Sequence, residues 1–61
     1  MRSVWDKGDR VEIAAGEHAG KLGTVTHVYS GGTVSVLLDG QHRSVLFGVQ
    51  QLRRPSQLGF F

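Results

Sequence analysis

Read without any structure, this 61-residue chain predicts an all-β protein: a small five-stranded antiparallel barrel with an extended C-terminal tail. Three observations carry that expectation. Apolar and polar residues alternate strictly in DRVEIA and TVSVLLD, the period of a half-buried strand. Nine glycines against a single proline mark many tight turns in a short chain. No stretch carries a helical apolar period over an ordinary helix length.

The elements follow in order. In DRVEIA, Val11 and Ile13 face one way and Arg10 and Glu12 the other, which makes the first strand. KLGTVTHVY is rich in β-branched and aromatic residues and makes the second. Its apolar beat slips, because Val25 and Val28 are three apart, and a bulge near Thr26 and His27 restores the inward face. SGG at residues 30–32 turns the chain into TVSVLLD, where Val34, Val36 and Leu38 share a face opposite Ser35 and Leu37. Asp39 and Gly40 are a short hairpin signal, and HRSVLF after them is the fourth strand, with its register open among Val45, Leu46 and Phe47. GVQQL fits a single 3₁₀ turn that leads into a short last strand at Leu52 and Arg53. The expected core is Val11, Ile13, Val25, Val28, Val34, Val36, Leu38, Val49 and Leu52, helped by Leu22 and Phe47.

The division expected is a barrel over residues 1–54 and a linker with a peptide tail over 55–61, since Pro55 ends strand pairing. The chain has no cysteine, which excludes disulfides and thiolate zinc sites and fits a cytoplasmic protein. MRSVWDKGD has no apolar run, so no signal peptide is expected, and no stretch reaches the roughly 20 apolar residues of a membrane span. His18, His27 and His42 lack any paired ligand spacing, so no metal site and no cofactor are expected.

The formal net charge is +2, from seven basic and five acidic side chains. Lys7, Arg10, Lys21, Arg43, Arg53 and Arg54 form either a basic stripe or an ordinary solvated surface. On the first alternative, Lys21, Arg43, Arg53 and Arg54 are the candidate contacts to DNA or RNA. Trp5 and Tyr29 either stack on bases or, for Trp5, cover an open end of the core.

The stretch KGDRVEIAAGEHAGKLGTVTHVYSGGTVSV resembles the KOW motif in Gly8, Asp9, Val11, Gly16, Gly20, Lys21, Gly23, Val25, Val28 and Val36. That motif occurs in NusG-type transcription factors and in a ribosomal large-subunit protein, and the resemblance implies an SH3-like barrel that binds RNA, DNA or protein. In the ribosomal relatives the loop corresponding to GEHAG touches RNA; here it holds Glu17 and His18, with Lys21 beside it as the firm positive charge. GDRVEIAAG and SVLFGVQQL also resemble the plasmid-borne type of dihydrofolate reductase, a barrel of the same kind that works as a tetramer. That family's active site uses glutamine, isoleucine and tyrosine in the stretch matching Leu46 and Phe47; this chain has neither glutamine nor tyrosine there, so no enzymatic activity is expected.

The last five residues, QLGFF, resemble the pentapeptide by which bacterial proteins bind the sliding clamp that encircles DNA. Gln57, Leu58, Gly59 and Phe61 match that pattern, and Phe60 stands where leucine is usual. The resemblance implies a non-enzymatic module docked on the clamp, with Leu58 and Phe61 as apolar anchors, Phe60 beside them, and Gln57 as the hydrogen-bonding head. Its work would lie in DNA replication or repair, or in blocking the clamp. Two alternatives stay open for the tail: it plugs the barrel with Phe60 and Phe61, or it binds an unrelated partner. The alternative for the whole chain is a KOW-type nucleic-acid or transcription/translation module with a structural tail.

Overall fold

A computed structural model of the chain describes residues 5–55. Its strands are β1 (Arg10–Ile13), β2 (Leu22–Tyr29), β3 (Thr33–Leu38), β4 (Ser44–Gly48) and β5 (Leu52–Arg53), with a single 3₁₀ turn, Val49–Gln51, between the last two. They form one sheet in the order β4-β3-β2-β1-β5, and every neighbouring pair is antiparallel. The protein is all-β, of the small SH3-like barrel type.

The alternation decides which residues go inside. Val11 and Ile13 of β1, Val25 of β2, Val34, Val36 and Leu38 of β3, Phe47 of β4 and Leu52 of β5 are buried together. The bulge lies where the slipped beat requires it. Val25 pairs with Val36, and His27 pairs with Ser35, so Thr26 is the extra residue. Val28 thereby turns inward opposite Val34, although it stays only half-buried.

Gly23 shows why a strand interior carries a glycine. A Cβ at that position would lie 2.7 Å from both the Leu37 carbonyl oxygen and Val36 Cγ1. Here β2 crosses β3 too closely for any side chain.

Two expectations need correction, and two residues are more buried than the strand pattern alone implies. The turn at Asp39 and Gly40 forms, closed by the Gln41 N–H on the Leu38 carbonyl (3.0 Å) with Gly40 at φ +82°, but β4 begins at Ser44 rather than at His42, so residues 39–43 make the connection. Asp39 N–H donates to the Leu22 carbonyl (2.9 Å), one step beyond the Gly23–Leu38 pair, and its carboxylate is held by Arg10. Trp5 belongs to the core at 5% exposure, although it stands outside every strand. Val28, Val49 and Leu22 are half-buried rather than central: Leu22 and Val28 lie toward the ends of β2, and Val49 in the 3₁₀ turn. Finally, Ser35 is buried on the outer face of β3, since the bulge brings the Thr26 hydroxyl within 3.0 Å of the Ser35 hydroxyl and 3.1 Å of that of Ser44.

The 3₁₀ turn is tied at both ends. Val49 N–H donates to the Gly32 carbonyl (3.0 Å), Ala14 N–H to the Gln51 carbonyl (2.7 Å), and Gly48 N–H to Gln51 Oε1 (2.9 Å). These bonds carry the chain from β4 across to β5 beside β1. Among the described residues no helix is long and apolar enough to cross a membrane.

Candidate nucleic-acid interface

Two loops meet at one rim, where β1 and β3 end and β2 and β4 begin. The first, residues 14–21, reverses the chain between β1 and β2. Gly20 adopts φ +89°, a conformation side chains other than glycine's rarely take, and donates its N–H to the Ile13 carbonyl (2.8 Å). Ile13 N–H donates back to the Lys21 carbonyl (2.9 Å), and Lys21 N–H to the His18 carbonyl (3.0 Å). Lys21 is therefore held on a closed, hydrogen-bonded turn, with its side chain exposed. Within the same loop the His18 ring stands edge-on to Phe47, 6.0 Å between centroids, and shields that side of the core.

The second loop, residues 39–43, is bound to the first strand of the rim through the Asp39 N–H to the Leu22 carbonyl, one residue after Lys21. Arg43 closes this loop, exposed and immediately before β4. Lys21 and Arg43 thus share the rim, although 22 positions separate them in the chain.

Three other cations behave differently. Arg10 donates both terminal nitrogens to Asp39 at 2.8 Å and also reaches the Thr24 hydroxyl at 3.0 Å. The hydrogen bond and the attraction of Asp39 raise the guanidinium's pKa above its usual value, and the same contacts hold the Asp39 carboxyl below the ordinary carboxylate range. Arg53 donates to Glu12 across the β1–β5 pair at 2.8 Å, and this bond likewise raises its pKa. Arg54 lies over the Trp5 ring, 5.8 Å from its centroid.

Of the four basic residues the sequence suggested, Lys21 and Arg43 each end a loop at the same rim, Arg53 is paired with a carboxylate, and Arg54 lies over an aromatic ring. Trp5 is buried beneath Arg54, which removes it as a base-stacking surface. Gln57, Leu58, Phe60 and Phe61 lie outside the described residues. The histidines are dispersed: His18 on Phe47, His27 beside Tyr29, and His42 in the second loop.

Sequence reasoning missed one exposed aromatic arrangement. Tyr29 is 47% exposed, and its ring contacts His27 with centroids 4.3 Å apart on the outer face of β2. The i, i+2 spacing after the bulge was the available signal. The Arg10–Asp39 and Arg53–Glu12 pairs had no local signal, since their partners are 29 and 41 residues apart.

Fold and rim together define the class: a five-stranded antiparallel barrel of SH3-like type whose first hairpin carries a glycine-bounded loop with a lysine at its end. The chain belongs to the KOW-motif family, whose model matches residues 7–39, a little over half of the sequence. That span covers β1, β2, β3 and the loop ending in Lys21. No curated protein matches the chain.

Proposed function

We propose that this protein is a non-enzymatic KOW-type binding module that contacts the phosphate backbone of RNA or DNA through the rim bearing Lys21 and Arg43. The observation that carries this reading is the rim itself: two exposed cations without an ion-pair partner among the described residues, on adjacent loops of a KOW barrel. Arg10 and Arg53 are already matched by carboxylates; Lys7 and Arg54 are also exposed without one, but lie on neither loop of the rim. Two cations support weak binding without sequence preference, because phosphate contacts position a nucleic acid and do not read it. The test is a salt titration of binding to single- and double-stranded oligonucleotides with wild-type protein and Lys21→Ala/Arg43→Ala. A cytoplasmic location accords with the cysteine-free sequence.

A second reading concerns the tail and is supported by QLGFF. In it, Gln57, Leu58, Phe60 and Phe61 dock on a bacterial sliding clamp as an extended peptide and bring the barrel to DNA, or compete with other clamp users. Calorimetry of the full chain against a clamp tests it. No catalytic role is proposed: where the plasmid-borne reductases carry glutamine and tyrosine, this chain has the exposed Leu46 and the buried Phe47. Dihydrofolate turnover with a nicotinamide cofactor would overturn that exclusion.

A further inference from the structure

On the outer face of the sheet the strand pairings set side chains in rows. His27, Ser35 and Leu46 form one row across β2, β3 and β4, and Tyr29, Thr33 and Gly48 form the next. The large side chains stand at the two sides. Tyr29 is exposed on β2 with its ring against His27, and Leu46 is 60% exposed on β4. Between them lie the small residues Thr33 and Ser35. Ser35 is buried, and its hydroxyl accepts from that of Thr26 at 3.0 Å, so the floor is low and fixed. Gln50 completes the second side. A Cβ at Gly48 would point to this face, as Leu46 does, and would meet the Gln50 side-chain amide, with Oε1 at 3.0 Å and Nε2 at 3.3 Å. A groove two strand spacings wide, about 10 Å, therefore runs along β3. One wall is aromatic, and the other carries a leucine and an exposed carboxamide.

The chemistry of the groove selects its occupant. β2, β3 and β4 contain no carboxylate, so nothing on them repels an anion. Lys21 stands immediately before β2 and Arg43 immediately before β4, so each wall begins at one of the two cations of the rim. From Arg43 to Gly48 the strand rise gives about 17 Å, the length of a few stacked bases. Among the described residues Tyr29 and Leu46 are the exposed large apolar side chains, which is thin anchorage for a protein partner. A single aromatic ring is enough for a base, whose face stacks on it while its edge takes hydrogen bonds.

We infer that this groove takes the unpaired bases of a single-stranded nucleic acid whose phosphates lie at the rim. The inference rests on the rim being the phosphate contact. Tyr29 is the stacking surface, with His27 packed against its ring at 4.3 Å between centroids. Gln50 offers a donor and an acceptor to the edge of a base, and Leu46 covers an adjoining face. In a duplex both faces of each base are stacked and its edge is paired, so the groove adds affinity for single strands alone.

An oligothymidylate of about eight nucleotides and an abasic strand of the same length and charge, each titrated into the full chain at low salt under NMR detection, test this. The base-bearing strand should bind about five-fold or more tighter, and it alone should shift the Tyr29 ring and Gln50 carboxamide resonances. Tyr29→Ala should bring the two strands to parity, and Tyr29→Phe should keep the preference. Tyr29 is exposed, so both variants leave the core as it is. Lys21→Ala/Arg43→Ala should weaken both strands alike. Equal affinity of the wild type for the two strands, or a preference that survives Tyr29→Ala, overturns the groove and leaves the rim standing. No binding of either strand at low salt overturns rim and groove together.

Discussion

Arg10 and Asp39 clasp each other through two parallel hydrogen bonds of 2.8 Å, joining the first strand to the loop after the third. The pair lies at the surface, where ion pairs add little to stability.

The pair makes stability depend on acid. Asp39 has a folded pKa below its unfolded value, so its contribution is complete above the unfolded value and is lost as pH falls through the folded one. Thermal melts should show wild type losing stability below about pH 4 and Asp39→Asn losing less. At neutral pH the variant's Tm should differ by only a few degrees.

Gly23→Ala should destabilise the barrel by roughly 1–3 kcal/mol, because the added methyl meets a carbonyl oxygen and a buried valine at 2.7 Å. Urea unfolding measures this. An unchanged midpoint would show that β2 and β3 can separate without cost.

Phe47→Ala should cost about 3–5 kcal/mol, comparable to the whole stability of so small a domain. It also removes the ring against which His18 rests. Circular dichroism should report a largely unfolded chain, whereas Leu46→Ala, one residue away and exposed, should leave the fold intact.

Lys21→Ala and Arg43→Ala should each reduce the salt dependence of nucleic-acid binding, by a slope of about 0.7 for single strands and about 0.9 for duplex. The loss should be the same for all sequences. Arg53→Ala should have the smaller effect, since Glu12 already balances that charge. Equal losses from Arg53 and Lys21 would show that the rim is not the interface.

For the tail, Phe61→Ala should weaken clamp binding by about 2 kcal/mol or more, as loss of a buried anchor does. Gln57→Ala should cost about 0.5–1.5 kcal/mol, the worth of one hydrogen-bonding head. Calorimetry against the clamp measures both. Removal of Phe60 and Phe61 that lowers the Tm sharply and leaves no clamp binding to lose would assign the phenylalanines to the barrel instead.

Much of the fold was legible in the residues, and for local reasons. A strand's side chains alternate every second residue whatever it pairs with, so Val11 with Ile13, and Val34 with Val36 and Leu38, announced both strand and inward face. The three-residue step from Val25 to Val28 announced the bulge in the same way, and the GVQQL turn needed only its own length and composition. The KOW likeness rests on that same stretch.

Other features depend on which segments meet, and no local pattern encodes that. The run Val45, Leu46, Phe47 is apolar throughout, so only pairing with β3 could choose Phe47 for the core and leave Leu46 at the open edge. Asp39 and Gly40 make the turn their residue types announce, but the hold of Arg10, far away in the chain, on the Asp39 carboxylate has no local signal. The six cations were equivalent in the sequence. Closure of β5 onto β1 gave Arg53 to Glu12 and Arg54 to Trp5, Asp39 took Arg10, and the two hairpin loops set Lys21 and Arg43 at one rim. The sequence by itself determined the strands and their faces, because alternation is set by each residue's own stereochemistry. Tertiary structure alone decided the pairing of charges and the free edge, because these arise only when segments distant in the chain are brought into register.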